Sequence, residues 1–245
     1  MKLKHILLFC ISLQCASLSI LAQDNSVSIE DSISKETKYG FRIGADLAKP
    51  IRSLLEDGYS GFEIVGDFRI TKKFYAAAEI GNEKKDRFEP NLNSRTSGSF
   101  LKIGADYNAY NNWFGLNNAI YGGLRYGFST FKQELLAYEI YATDQTFPPT
   151  AITAPIEYSG LTAHWAELIV GIKTEVLTNL YLTLNLQLKR KLSEVKPDNF
   201  DNLYIPGFNR TYDSGIIGGG FGFNLSYLVP IFKKDKIVIQ EKEAE

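Results

Sequence analysis

Thirteen charged residues recur on one face of strand-like runs: Arg42, Arg69, Lys102, Arg125, Lys173 and Lys189 against Asp46, Glu63, Asp67, Glu79, Asp106, Glu167 and Glu175. Carboxylate pairs drawn from this set, such as Glu63 with Asp67 or Glu167 with Glu175, could carry general acid–base chemistry. Near-equal numbers of opposite charge instead predict a salt-bridge mesh. His164 is the only histidine beyond the N-terminal leader. An acyl hydrolase or transferase needs such a base beside a serine and an orienting polar group. Ser129 and Ser159 are the available hydroxyls, and nothing in their spacing supplies the third group. Beside Trp165 at a strand start, His164 reads as an interfacial residue. A histidine-based metal cluster fails for the same want of partners. No catalytic residue, metal or cofactor is expected, and the chain is read as a non-enzyme.

Two further segments carry possible chemistry. The run Gly218-Gly219-Gly220 with Gly222 lacks the Lys-Ser/Thr and the following helix of a phosphate loop. Glycine in a strand marks a bend or a close backbone approach in a barrel wall. The segment Pro197–Asp213 combines Asp198, Asp201, Asp213 and Arg210 with Phe200, Tyr204, Phe208 and Tyr212. Aromatic planes with acids and amides can hold a sugar, a peptide or a calcium ion. The competing reading is an ordered cap that packs its own aromatics over a barrel mouth.

The elements that position these residues follow from composition and pattern. The chain has 245 residues, a net charge of −1, 13% aromatic residues and 20 glycines. That excludes disordered, collagen-like and disulfide-rich classes. A charge this close to zero also argues against nucleic acid as a partner. Lys2 and Lys4, the apolar stretch Ile6–Leu13 and the small residue Ala22 form a secretory signal peptide over 1–22, cleaved before Gln23. Lipidation at Cys15 is disfavoured by Gln14. Because Cys10 and Cys15 both lie in the leader, the mature chain has no thiol chemistry. Residues 23–37 read as a flexible periplasmic linker, 38–232 as one folded domain, and 233–245 as a charged periplasmic tail.

Within that domain, period-two alternation recurs about eight times. The clearest run sets Leu180, Leu182, Leu184, Leu186 and Leu188 against Tyr181, Thr183, Asn185, Gln187 and Lys189. The connections are Pro50–Gly58, Thr71–Lys73, Asn82–Ser97, Asn108–Asn117, Ala142–Tyr158, Thr178–Asn179 and Ser193–Ser214. Mostly alternating short and long connections are the habit of transmembrane barrels. Tyr39, Phe74, Tyr107, Trp113, Phe114, Tyr181 and Tyr227 gather near the short turns and suggest an interfacial belt. The reading is an all-β, eight-stranded antiparallel up-and-down transmembrane barrel. Its charged face fills a narrow lumen, and its Leu, Phe and Ile face meets outer-membrane lipid.

The stretches YGFRIGADLAKPIR (Tyr39–Arg52), GFEIVGDFRI (Gly61–Ile70), GLRYGFSTF (Gly123–Phe131) and PDNFDNLYIPGFNRTYD (Pro197–Asp213) resemble a family of unknown function. Its members are exported outer-membrane barrel proteins of Bacteroidota-type bacteria. The resemblance implies an outer-membrane barrel and carries over no activity or catalytic residue. In that bacterial context the sequon pattern Asn209-Arg210-Thr211 is not a glycosylation site. The tail after Phe232 departs from the terminal aromatic common in such barrels. The expected role is envelope-structural or surface recognition, with an extracellular ligand or an envelope protein meeting loop 193–214. The alternatives are a membrane-embedded lipid-modifying enzyme, a small-solute channel and a soluble periplasmic lipocalin-like carrier.

Overall fold

The computed structural model describes residues 37–110, 118–139, 151–152, 155–198, 200–210 and 215–234. The signal peptide, Trp113, Phe114, Tyr212 and Asp213, nearly all of the linker and most of the tail lie outside them. The described elements are β1 (Thr37–Asp46), α1 (Ala48–Leu55), β2 (Tyr59–Arg69), β3 (Phe74–Glu89), β4 (Leu92–Asn108) and β5 (Ala119–Glu139). They continue with β6 (Ala151–Ile152), β7 (Ile156–Leu177), β8 (Leu180–Glu194), β9 (Tyr204–Ile205), β10 (Asn209–Arg210) and β11 (Ile217–Lys234). The strands pair antiparallel in the order β4-β3-β2-β1-β11-β8-β7-β5, and β4 pairs with β5 to close the ring. Eight strands therefore leave no lateral edge along most of the wall. Closure satisfies the backbone groups that an open sheet would expose.

The alternation reads directly as wall orientation. Along β5 every second residue from Ala119 to Leu135 is buried, and the residues between them are mostly exposed. The exposed set is apolar: Phe41, Ile64, Ile103, Leu124, Val170, Leu184, Leu186 and Phe221 all face outward. Leu186 is 70% exposed. A water-soluble domain keeps such patches to a few hundred Å². This exterior suits hydrocarbon. The outward leucines Leu180–Leu188 span nine residues of β8, which at ~3.4 Å per residue and a tilt of ~40° makes a belt of roughly 20 Å. Phe74 and Tyr107, with ring centroids 5.2 Å apart, edge the belt at the short-turn end together with Tyr227. Tyr126 and His164, joined by a 2.6 Å hydrogen bond, edge it at the other end.

Several expectations need correction. Asn82–Ser97 is no loop: β3 runs on to Glu89 and β4 starts at Leu92, joined at Pro90 and Asn91. Above the belt the inward face is buried but polar, with Glu83, Ser94 and Thr96, and the outward face is mostly polar too, so the hydrophobic alternation fades although the ladder continues. The segment Pro50–Gly58 contains most of α1, whose Ile51, Leu54 and Leu55 remain exposed. Ser193–Ser214 is shortened by β8 and contains the β9–β10 hairpin. Two of the belt aromatics also turn inward. Tyr181 faces the lumen, and a bulge between Tyr39 and Gly40 puts Tyr39 there too.

Glycine decides one lumen contact. A Cβ on Gly127 would sit 2.1 Å from Trp165 Cε2, so the fully buried indole fits only because β5 carries glycine there. Gly127→Ala is expected to lower unfolding stability by about 1–3 kcal/mol. Gly122→Ala, whose methyl would meet only the Ile169 carbonyl at 4.0 Å, is expected to stay within about 0.5 kcal/mol. Denaturant unfolding followed by tryptophan fluorescence measures both.

Candidate functional site

The enclosed volume of the barrel is built of charge. Near the short-turn end, Asp67 accepts hydrogen bonds from Arg42 Nε at 2.7 Å and Lys173 Nζ at 2.6 Å. The Arg42 guanidinium also lies over the rings of Tyr75 and Tyr181, at 4.8 and 5.0 Å. Higher up, Arg125 bridges Asp106 at 2.7 Å and Glu79 at 3.2 Å. Lys102 then pairs with Glu79 and with Glu63 at 2.8 Å, and stands 3.9 Å from Glu167. Lys189 stands 3.9 Å from the other Glu167 oxygen and donates to the Gly207 carbonyl at 2.7 Å. These pairs come from seven strands because neighbouring strands place inward residues at matching heights: Glu79 lies opposite Lys102 and Glu167 opposite Lys189 in the ladder. Ions taken out of water this completely persist only with partners.

The expected lumen set is thus mostly brought together, with differences at its rim. Asp46 is buried, but its carboxylate accepts the Lys49 and Phe223 amides at 2.8 and 3.0 Å. It anchors α1. Arg69, at the short-turn end, donates to the carbonyls of Thr71 and Lys72 and lies over Tyr39. Glu175 accepts the Asn179 amide in the β7–β8 turn and does not meet Glu167. Sequence reasoning missed Lys49 and Glu83, which form an ion pair above Lys102. Glu83 has the same parity as Glu79 on β3, a signal hidden by reading Asn82–Ser97 as a loop.

Glu83, with no exposed surface, holds the lid of the barrel. Besides Lys49 it accepts hydrogen bonds from Tyr204 Oη at 2.7 Å, the Gly207 amide at 2.9 Å and Tyr59 Oη at 3.1 Å. The β9–β10 hairpin thereby dips into the mouth. Ile205 and Phe208 pack there against Phe100, Phe131, Leu161, Ala163 and Trp165. Gly207 adopts φ 81°, and a Cβ at that position would lie 2.6 Å from the Phe100 ring. Gln133 clamps the approach to the hairpin, donating to the Asp201 carbonyl and accepting the Leu203 amide.

This geometry corrects the reading of Pro197–Asp213 as a displayed recognition loop. Tyr204 and Phe208 are plug residues, not exposed contacts. Phe200 stacks on Tyr158 with centroids 6.2 Å apart, and Asp201 pairs with Lys196 at 2.7 Å, raising the Lys196 pKa. Asp198 is exposed, and Arg210 closes the two-residue ladder opposite Tyr204. His164 and Ser129 lie on opposite faces of the wall, since Ser129 donates inward of the exterior to the Ser99 carbonyl while His164 meets Tyr126 outside. Among the described residues no group of three or more His, Cys, Asp or Glu is placed to hold a metal ion.

Outside the plug, a cleft of about 530 Å³ opens between α1, the β3–β4 hairpin and Tyr204. Its rim is a chain of ion pairs in which Glu56 meets both Arg52 and Lys85, and Asp86 meets Arg95 at 2.7 Å. The hydrogen bond from Arg52, joined by one from Lys85, holds the Glu56 pKa down at about 2.

A family model described as a domain of unknown function, DUF6048, matches residues 3–234. No curated protein matches the chain significantly. Among solved structures, the crystal structure of Ail, the attachment invasion locus protein of Yersinia pestis, is similar at 10% identity and a TM-score of 0.38, over 80% of this chain and 99% of that one. What makes this chain a barrel is its own closed register.

Two outcomes test the mouth. Glu83→Ala strands Lys49 and three further donors, so about 3–5 kcal/mol of stability is expected to be lost, with faster proteolysis of 200–210. Glu56, lowered in the fold, adds stability that is present above its ordinary 4.5 and lost as pH falls through about 2. Carbon-detected titration of its carboxyl is expected to inflect near 2.

Proposed function

This chain belongs to the DUF6048 family, and we propose that it is an outer-membrane barrel that anchors a closed, charged, water-facing rim in the envelope without transporting solute or catalysing a reaction. The observation that carries this reading is the inversion of the wall: hydrocarbon-compatible side chains outside, a paired ionic column inside, and a hairpin seated in the mouth. An eight-stranded lumen has room for side chains and little else. In the lower lumen the space around Arg42, Asp67, Glu79 and Arg125 amounts to only about 30 Å³, room for little more than water.

A soluble lipocalin-like carrier is disfavoured because it needs the opposite orientation, with apolar residues lining the cavity. A channel is disfavoured because the ion pairs between Lys102, Glu63, Glu79 and Glu167 cross the axis. A lipid-modifying enzyme is disfavoured because Ser129 lies on the opposite face of the wall from His164, whose ring nitrogen is taken up by the Tyr126 hydroxyl. The export signal, the Gram-negative and Bacteroidota-type setting and the outer membrane as destination belong to the same proposal. So does the contact role, which now moves from the sequestered aromatics of Pro197–Asp213 to the exposed rim of α1 and the β3–β4 hairpin, where an extracellular ligand or envelope protein would meet paired charges.

Membrane fractionation with heat-modifiable gel mobility is expected to show a folded, detergent-requiring barrel, and release without detergent overturns the proposal. In planar bilayers no discrete conductance is expected. Leu184→Arg, placing a cation on the exterior belt, is expected to cost about 2–4 kcal/mol in lipid vesicles. The same change in a water-exposed wall would cost almost nothing, which separates the two orientations.

A further inference from the structure

The glycine run of β11 and the early end of β1 meet at one place. β1 stops at Asp46, opposite Asn224 of β11, and its pairing with β2 ends at Ala45 and Ile64. On its other side β11 stays paired with β8 as far as Ile217. Above Asn224, therefore, β11 has a strand neighbour on one edge only among the described residues. The Phe223 backbone turns toward the open side, where its carbonyl accepts the Leu47 amide at 2.7 Å and its own amide reaches Asp46 at 3.0 Å. By the alternation of an antiparallel strand, the amides and carbonyls of Phe221 and Gly219 turn the same way. No strand and no described side chain answers them there.

This open edge lies at belt height. Phe221 is opposite Leu186 and Gly219 opposite Leu188, both on the apolar exterior. Unanswered backbone groups in hydrocarbon are strongly penalised, so a partner is required. Across the notch, α1 leans on β2 and away from this edge: Ser53 Oγ accepts the Gly61 amide at 3.0 Å, and the Arg52 guanidinium lies 3.9 Å over the Tyr59 ring. A cavity of about 280 Å³ remains, running from Gly219 and Phe221 past Arg52 and Lys49 into the upper lumen, where Glu63, Glu79 and Lys189 line it. On the outer side Phe221 borders it, and Ile217 of β11 and Leu55 of α1 are exposed apolar residues of the two elements that meet here.

We propose that this lateral cleft binds the headgroup of a phosphoethanolamine lipid from the surrounding bilayer, with its acyl chains lying along those apolar residues. The inference rests on the membrane-spanning reading above. The edge offers N–H and C=O groups together, so its occupant must bring acceptors and donors. A phosphate accepts from the Gly219 and Phe221 amides beside Arg52, shared with Glu56, and Lys49, shared with Glu63 and Glu83, and an ammonium donates to the Gly219 and Phe221 carbonyls beside Asp46. A Cβ at Gly219 would meet nothing closer than the Gln187 carbonyl at 3.9 Å, so the space beside this residue is open. An added peptide strand would supply the same groups, but it needs about 4.8 Å of clearance along its length. Leu47 and α1 already stand in its path at Phe223.

The test uses the full mature chain, isotope-labelled and folded in detergent micelles, titrated with dihexanoyl phosphatidylethanolamine. Saturable shifts confined to the Gly219–Gly222 amides are expected, with phosphatidylglycerol of the same chains binding at least about fivefold more weakly. Gly219→Pro deletes a donor on the unpaired side, where no ladder bond is lost. Arg52→Gln removes a phosphate partner. Each is expected to weaken the apparent affinity by at least about fivefold; should Gly219→Pro fail to fold, Arg52→Gln decides. The proposal is overturned if a folded barrel shows no response at these amides, an equal response to both lipids, or unsaturable shifts around the whole belt. It is also overturned if Phe221→Cys forms disulfide-linked dimers far faster than the belt control Leu184→Cys, since the edge then belongs to a second copy. Loss of heat-modifiable mobility in the unaltered chain sinks the membrane reading itself, a result distinct from all of these.

Discussion

Lys102 is a cation without water. It sits between Glu63 and Glu79 with Glu167 close by, and the interior is arranged around the need to keep that ammonium matched. A single unpaired ion in such a space costs more than any one surface contact returns. Each carboxylate that answers Lys102 must therefore be answered in turn: Glu79 by Arg125, Glu63 by Lys49 and Glu167 by Lys189. The chain of pairs reaches the plug backbone at Gly207 through Lys189 and Glu83, and it reaches α1 through Lys49, whose amide Asp46 holds. The ionic column thus doubles as the fastening of both mouth elements.

That coupling explains why the hairpin sits inside the barrel. Lys189 and Glu83 reach Gly207 from opposite sides, one to its carbonyl and one to its amide. Phe208 and Ile205 then complete a small apolar cluster that has no counterpart in the lower lumen. Polar fastening fixes the position, and apolar burial removes water from the fastening. Either alone would leave an unsatisfied glutamate or an exposed aromatic pair. The wall is continuous except where β1 ends early, and there the helix α1 covers the notch only in part.

Much of this was legible in the residue order. A period of two sends every second side chain to the same face, so the separation of Leu184 and Leu186 from Thr183 and Asn185 needs no tertiary information. The even number of long runs and the short turns at Thr71–Lys73 and Thr178–Asn179 follow from the same pattern. The paired-charge lumen was legible too, because six cations and seven anions on one parity can coexist in a narrow tube only as partners. The extension of β3 and β4 was not legible, since a strand whose buried face carries polar residues such as Glu83, Ser94 and Thr96 loses its hydrophobic alternation while keeping its ladder. The role of Glu83 was hidden with it.

The sequence by itself determined the parity of each strand, the sign balance of the interior and the number of crossings, because these depend on local geometry and composition. Only the tertiary structure decided which carboxylate meets which ammonium, since that depends on the stagger between strands and on distances across the lumen. It also decided that Tyr204 and Phe208 turn inward to cap the mouth, and that β11 above Asn224 has, among the described residues, a strand neighbour on one edge only. Both arise from contacts between segments more than a hundred residues apart, such as Glu83 with Gly207 and Asp46 with Phe223. Such contacts leave no periodicity in the chain to be read.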